Sequence, residues 1–261
     1  MKYYVVTDVH GFYSILKQEL EEKGFFDDPE PHKLIICGDL FDRGKEAVEM
    51  QDFILELMRK DEVILVRGNH EDLILEMLES MENGIPVLYS HHSRNGTVDT
   101  AKQLIKKDTV WFDTRTEAVV TQMRNTPLLT KIIPSMKNYF ETKNYIFVHG
   151  WIPCLVMRVT SSYKIYEPMA QWRGADEKQW HDARWTNGME AAYKGSTEPG
   201  KTIVCGHWHT SFGHALYENK GSIFAEDADY SPYYADGVIA LDACTARSQK
   251  INCIVLEDDD L

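Results

Sequence analysis

No apolar run in this 261-residue sequence is long enough to cross a bilayer. The longest, such as Val63–Val66 and Tyr145–Val148, are strand-sized, far below the roughly 20 residues a membrane helix needs. Positive charge is also scarce, with 28 Lys and Arg against 41 Asp and Glu and a formal net charge of −13. That excludes coating a nucleic acid polymer or an anionic membrane, both of which rely on clustered Lys and Arg. A secretory leader is not visible either: Asp8, His10 and Gly11 break the first apolar segment, so the fold is expected to start at residue 1. The five cysteines are odd in number and lack CxxC spacing, and four lie in strand-like runs. They read as reduced, buried thiols of a cytoplasmic protein, and none is followed by the Gly-rich turn and Arg of a thiol phosphatase loop. Repeats, low-complexity tracts and flexible linkers are absent.

With 43% hydrophobic and 26% charged residues the composition is that of an ordinary globular chain, read as one domain over 1–261. Lys2–Thr7 is a short β-rich run, and Phe12, Ile15, Leu16 and Leu20 then form one helical face. The strand-helix unit returns at Lys33–Cys37 with Ala47–Arg59, and again at Glu62–Val66 with Asp72–Met81. Three such units imply parallel strands joined by right-handed crossovers, with ligands beyond the strands' carboxyl ends. Residues 84–143 read as a helical insertion punctuated by Pro86, Gly96, Pro127 and Pro134. Further strands are expected at Asn144–Val148, Thr202–Cys205, Gly237–Leu241 and Ile251–Leu256, in a mixed or antiparallel set, and Glu257–Asp260 as a solvated terminus.

Five of these strands end in a polar cluster: Asp8-Val9-His10-Gly11, Gly38-Asp39-Leu40-Phe41-Asp42-Arg43-Gly44, Gly68-Asn69-His70-Glu71, His149-Gly150 and Gly206-His207-Trp208-His209. Alone, each could be a turn or a helix cap. Together, at strand ends facing one crevice, they predict a site built from carboxylates, imidazoles and an amide. Such donors suit divalent ions of the manganese, iron or zinc type. Two ions fit the ligand count, bridged by Asp39, with Asp8 and His10 on one and Asn69, His149 and His207 on the other.

The ordered set DxHG, GDxxDRG, GNHE, HG and GHxH resembles the calcineurin-like metallophosphoesterases. Its DRG and GNHE forms are similar to the phosphoprotein phosphatase branch and its bacterial and phage-type serine/threonine phosphatases. The resemblance spans Asp8 to His209 and implies a four-layer α/β/β/α sandwich of two packed mixed sheets. It also supports the ligand assignment and implies attack on phosphorus by a metal-bridging hydroxide. His70 is then the general acid, Asp42 orients it, and Arg43 and Asn69 bind substrate. The alternative for Asp42-Arg43-Gly44 is a surface turn, and for Glu71 a carboxylate favoured by the helix dipole. His209 is an additional candidate ligand, with a structural role as the alternative. Arg184 is a candidate second phosphate-binding residue and Arg173 another. Trp151 is expected to pack, and His91, His92 and Arg94 to form a solvated basic loop. The expected activity is a metal-dependent phosphatase acting on phosphorylated protein, with manganese the first metal considered. Dinucleoside polyphosphate hydrolysis, a phosphodiesterase and a non-catalytic metal-binding scaffold are the alternatives.

Overall fold

The computed structural model describes residues 1–158 and 164–259. It opens with the three expected units: β1 (Lys2–Val6), α1 (Tyr13–Glu22), β2 (His32–Cys37), α2 (Ala47–Lys60), β3 (Val63–Val66) and α3 (Asn69–Glu82). In α2 the buried Met50, Phe53, Ile54 and Leu57 fall at i, i+3, i+4 and i+7, each worth about 1.5–3 kcal/mol on burial. The helix ends with Arg59 and Lys60 in its last turn, and Asp61 adopts the left-handed conformation (φ 57°) that stops it.

The insertion supplies α4 (His91–Asn95), α5 (Thr97–Ile105), α6 (Thr109–Thr114), α7 (Thr116–Arg124), a π turn at Leu128–Ile132 and the short α8 (Ile133–Ser135). It is helical only to Ser135, because β4 (Phe140–Glu141) already belongs to a sheet. There follow β5 (Tyr145–Phe147), β6 (Cys154–Arg158), β7 (Lys164–Pro168), α9 (Glu177–Arg184), α10 (Gly188–Tyr193), β8 (Thr202–Cys205) and α11 (Thr210–Tyr217). The chain closes with β9 (Tyr233–Ala235), β10 (Val238–Ala240), α12 (Thr245–Ser248) and β11 (Ile254–Glu257).

Two mixed sheets form the centre, ordered β11-β1-β2-β3 and β4-β5-β8-β10-β9, with β6-β7 as a separate ribbon. The strand expected at Ile251–Leu256 returns to the first sheet, antiparallel to β1 with Tyr4 opposite Val255. Side-chain alternation sorts the layers. Tyr3, Val5, Ile35 and Cys37 face Phe147, Val204, Ile239 and Leu241 of the second sheet. Tyr4, Val6, Leu34 and Ile36 face the helices of the first half, whose core also takes in Val98, Val119 and Met123 of the insertion. Ile146, Ile203 and Val238 pack outward on Trp151, Trp180 and Met189. The order is α/β/β/α.

The tail departs from a solvated terminus. Asp258 is buried and accepts hydrogen bonds from Thr142 Oγ1 (2.7 Å), Asn144 N (2.7 Å) and Asn144 Nδ2 (2.6 Å). Asp260 lies outside the described residues. No helix among the described residues is long and apolar enough to cross a membrane.

Candidate metal centre

Within the sheets β1, β2 and β3 run parallel, as do β5, β8 and β10. Sharp turns after these strands carry the polar clusters into one cleft, and Asp8, His10, Asp39 and His207 take left-handed backbone angles (φ 51°, 48°, 55° and 66°) to do so. Asp8, His10, Asp39, Arg43, His70, His207 and His209 line it.

Two groups of donors share Asp39: His10, Asp39 and His70, and Asp39, His149 and His207, each with ligand atoms within 4.8 Å of one another. The imidazole protons are assigned by their backbone partners. His10 Nδ1–H donates to Phe41 O (3.0 Å), leaving Nε2 to face Asp39 Oδ2 at 3.7 Å. His149 Nδ1–H donates to Cys37 O (2.9 Å). Its Nε2 lone pair then meets Asn69 Oδ1 at 2.7 Å and Asp39 Oδ1 at 3.3 Å. Three acceptors converge there with no proton among them, an arrangement that suits a cation.

Charge tells the same story. Burial, then repulsion from Asp242, pushes the Asp8 carboxyl well up, and burial, then Asp8 and Glu71, does the same to Asp39. Burial also holds His10 and His149 well below the ordinary imidazole value and, with His70, pulls His207 down to about 3. Neutral imidazoles beside crowded carboxylates fit divalent cations, which supply the missing positive charge. Asp8 Oδ2 accepts from His207 N (3.0 Å), tying the two sheets together at the cleft.

Within the first group, His70 Nδ1–H donates to Asp42 Oδ2 (2.7 Å), while His70 Nε2 lies 3.4 Å from Arg43 Nη2 and 3.9 Å from Asp39 Oδ2. Asp42 is buried and Arg43 exposed. Glu71 does more than sit at a helix start: fully buried, it accepts from the backbone N–H of Gly68 (2.8 Å), Leu40 (2.9 Å) and Asp39 (3.1 Å). It fixes the turn that presents Asp39.

Several expectations change. Arg184 is 2% exposed and gives Nε to Asp72 (2.6 Å), Nη1 to Asn138 (2.9 Å) and Nη2 to Glu177 (2.6 Å), so its donors are engaged and closed to a phosphoryl group. Arg173 is engaged likewise by Glu141 and Glu198 and lies over the Trp172 ring. His209 lines the cleft but stands outside both donor groups, its ring 5.2 Å from that of Phe224. His92 is buried in α4 rather than solvated, while His91 and Arg94 are exposed. Trp151 packs in the core and donates Nε1–H to Ser196 O (3.0 Å). Asp242, Cys244 and Thr245 also line the cleft. The signal for Asp242 was available, since it follows directly on the strand read at Gly237–Leu241.

Residues 1–211 match the family model of the calcineurin-like phosphoesterases. Serine/threonine-protein phosphatase 1 of Salmonella typhimurium is 38% identical over 80 residues, 31% of this chain and 34% of that protein. The symmetrical bis(5'-nucleosyl)-tetraphosphatase of Erwinia tasmaniensis is 30% identical over 129 residues, 49% of this chain and 39% of that protein. The match thus spans well under half the length of either relative. The crystal structure of a cold-active protein-tyrosine phosphatase from a psychrophilic Shewanella superposes with a TM-score of 0.53 at 18% identity, covering 98% of this chain and 75% of that one, a likeness of fold alone. With the family model spanning the ordered strand-end clusters from Asp8 to His209, the chain belongs to the calcineurin-like phosphoesterases.

Proposed function

We propose that this chain hydrolyses phosphoric monoesters with two divalent cations, and that phosphoserine or phosphothreonine in proteins is its lead substrate. The observation that carries the reading is the convergence of two donor groups on Asp39, one of which includes the His70 imidazole, backed by a buried carboxylate and next to an exposed guanidinium. Asp8, His10 and Asp39 would hold one ion and Asp39, Asn69, His149 and His207 the other, with manganese the first metal to test and iron or zinc next. Cations there supply Lewis acidity and acidify water near neutral pH.

The remaining steps belong to side chains. Arg43 offers a planar pair of donors to phosphoryl oxygens as negative charge grows, and Asn69, whose Oδ1 lies 2.7 Å from His149 Nε2, is the second candidate substrate contact. His70, its Nδ1–H held by Asp42, turns Nε2 toward the cleft and delivers a proton from it to the departing oxygen, after which the carboxylate retains the neutral ring in register. A leaving alkoxide needs that proton far more than an activated phenolate does.

Dinucleoside polyphosphate hydrolysis is the second reading, supported by the longer stretch aligned with the Erwinia tetraphosphatase. A phosphodiesterase reading rests on His209, which lines the cleft but, like Asp8, stands outside both donor groups. A scaffold without catalysis sits poorly with a full donor set and His70 in place. On this reading residues 1–261 act as one domain, and the insertion at 84–143 governs access to the site.

The test is steady-state hydrolysis by manganese-loaded protein of p-nitrophenyl phosphate, a phosphothreonine peptide and diadenosine tetraphosphate, with Asp39→Asn as control. Peptide turnover lost in the variant is the expected result. Preference for the dinucleotide would move the function to nucleotide turnover, and activity unchanged in Asp39→Asn would overturn the two-cation reading.

A further inference from the structure

In the insertion, one face of α5 grips the loop that carries Asp42 and Arg43. Thr97 Oγ1–H donates to Asp42 Oδ2 (2.9 Å), the same oxygen that receives His70 Nδ1–H. Thr100 Oγ1 accepts from Asp42 N (2.9 Å). Gln103 Oε1 accepts from Ala47 N (3.0 Å), and its Nε2 donates to Gly44 O (3.1 Å). Residues 97, 100 and 103 are three apart, so they share a helix face. The approach is backbone to backbone: a Cβ on Gly96 would lie 2.3 Å from Arg43 N, and φ of 90° suits only glycine there.

Asp42 and Arg43 hold left-handed angles (φ 74° and 62°) that non-glycine residues adopt only when their surroundings impose them. The other oxygen of the Asp42 carboxylate, Oδ1, is buried with no hydrogen-bond partner. Two donors, His70 and Thr97, therefore fix its orientation. Thr97 is itself fully buried, so its hydroxyl acts from within the packed interior.

We propose that Thr97 is a positioning residue for leaving-group protonation: by holding Asp42 Oδ2 it keeps the His70 ring aimed with Nε2 at the departing oxygen. The inference rests on His70 being the general acid. It predicts a defect that scales with the need for a proton, since p-nitrophenolate departs readily unaided whereas a phenolate of ordinary phenol acidity does not.

The experiment compares kcat and KM of the manganese-loaded full chain, Thr97→Val, Thr97→Ser and His70→Asn, on p-nitrophenyl phosphate and phenyl phosphate. For Thr97→Val the kcat on phenyl phosphate should fall about tenfold, the loss of one hydrogen bond to a charged group. The kcat on p-nitrophenyl phosphate should change by less than about threefold and both KM values by less than about twofold, whereas Thr97→Ser should restore the wild-type ratio. The ratio of the two kcat values is independent of how much variant is folded, so misfolding cannot mimic the effect. An unchanged ratio in Thr97→Val, with His70→Asn showing the expected selectivity, overturns the role of Thr97. A His70→Asn defect equal on both substrates overturns the acid assignment and this inference with it.

Discussion

Replacing Glu71 by Gln tests whether the turn that presents Asp39 depends on an ionised carboxylate. Burial raises the Glu71 pKa, and hydrogen bonds from Leu40, Gly68 and Asp39 N–H oppose that rise. Glu71 Oε2 serves Gly68 and Asp39, and Oε1 serves Leu40. In Gln one oxygen becomes an NH2 that faces the Leu40 N–H, donor against donor, at a cost of about 1–3 kcal/mol for the stranded group. The two bonds kept on the remaining oxygen lose their charge assistance, about 1 kcal/mol each, while burying a neutral amide in place of a charge offsets part of the sum. The net is about 3 kcal/mol, or about 6–12 °C in Tm for a chain of this size. Thermal unfolding followed by circular dichroism, with a chelator present in both samples, reads it directly. A fall of less than about 2 °C would show that Glu71 is held as the neutral acid, for which Gln is a near isostere, and not as the carboxylate.

Manganese should raise the Tm of the wild-type chain, each site adding about 2.7 kcal/mol at a hundred times its Kd, and Asp39→Asn should remove most of the rise by weakening both sites; a flat titration would contradict the metal reading. In chelator the sign should reverse, with Asp39→Asn at least as stable as wild type. Asp258→Ala removes three hydrogen bonds and should cost about 2–3 kcal/mol, read as faster hydrogen exchange at the β1 amides that pair with β11. Arg184→Lys cannot reproduce three directed bonds to Asp72, Asn138 and Glu177, and should lower stability by about 2 kcal/mol while leaving KM within about twofold; a large rise in KM would reinstate Arg184 as a substrate ligand.

What was legible in the sequence follows from how local each signal is. The three opening units carry their evidence in contiguous periodicity, and the polar clusters sit immediately after strands, so the sequence alone points Asp8, Asn69 and His149 toward one cleft. Asp242 obeys the same rule and needed only its consistent application. The ribbon β6-β7 was not legible because its residues alternate poorly against any buried face: Leu155, Val156 and Met157 are all exposed. Arg184 is ambiguous in the sequence because a guanidinium reads alike whether it meets a substrate or Asp72. In the structure it meets Asp72 on α3 and Glu177 on α9, more than 100 residues apart in the chain. The grip of α5 on the Asp42 loop left no sequence mark at all, since threonine on a helix face is common and its partner lies 55 residues away.

The reversal of sign expected for Asp39→Asn has a structural root. Of the eleven described non-glycine residues with positive φ, seven (Asp8, His10, Asp39, Asp42, Arg43, His207 and Cys244) belong to the cleft or its loops. Each such conformation costs of order 1–2 kcal/mol, and Asp8, Asp39 and Asp242 add mutual repulsion within a buried space. The surrounding layers impose this geometry through bonds such as Glu71 to Leu40, Thr100 to Asp42 and, between the sheets, Asp8 to His207. Strain and like charge are therefore present before any ion arrives, and a cation relieves the charge while the backbone remains where the packed sheets put it. An uncharged Asn at 39 relieves the same repulsion without a cation, which is why the substitution that should weaken both sites should leave the empty protein at least as hard to melt.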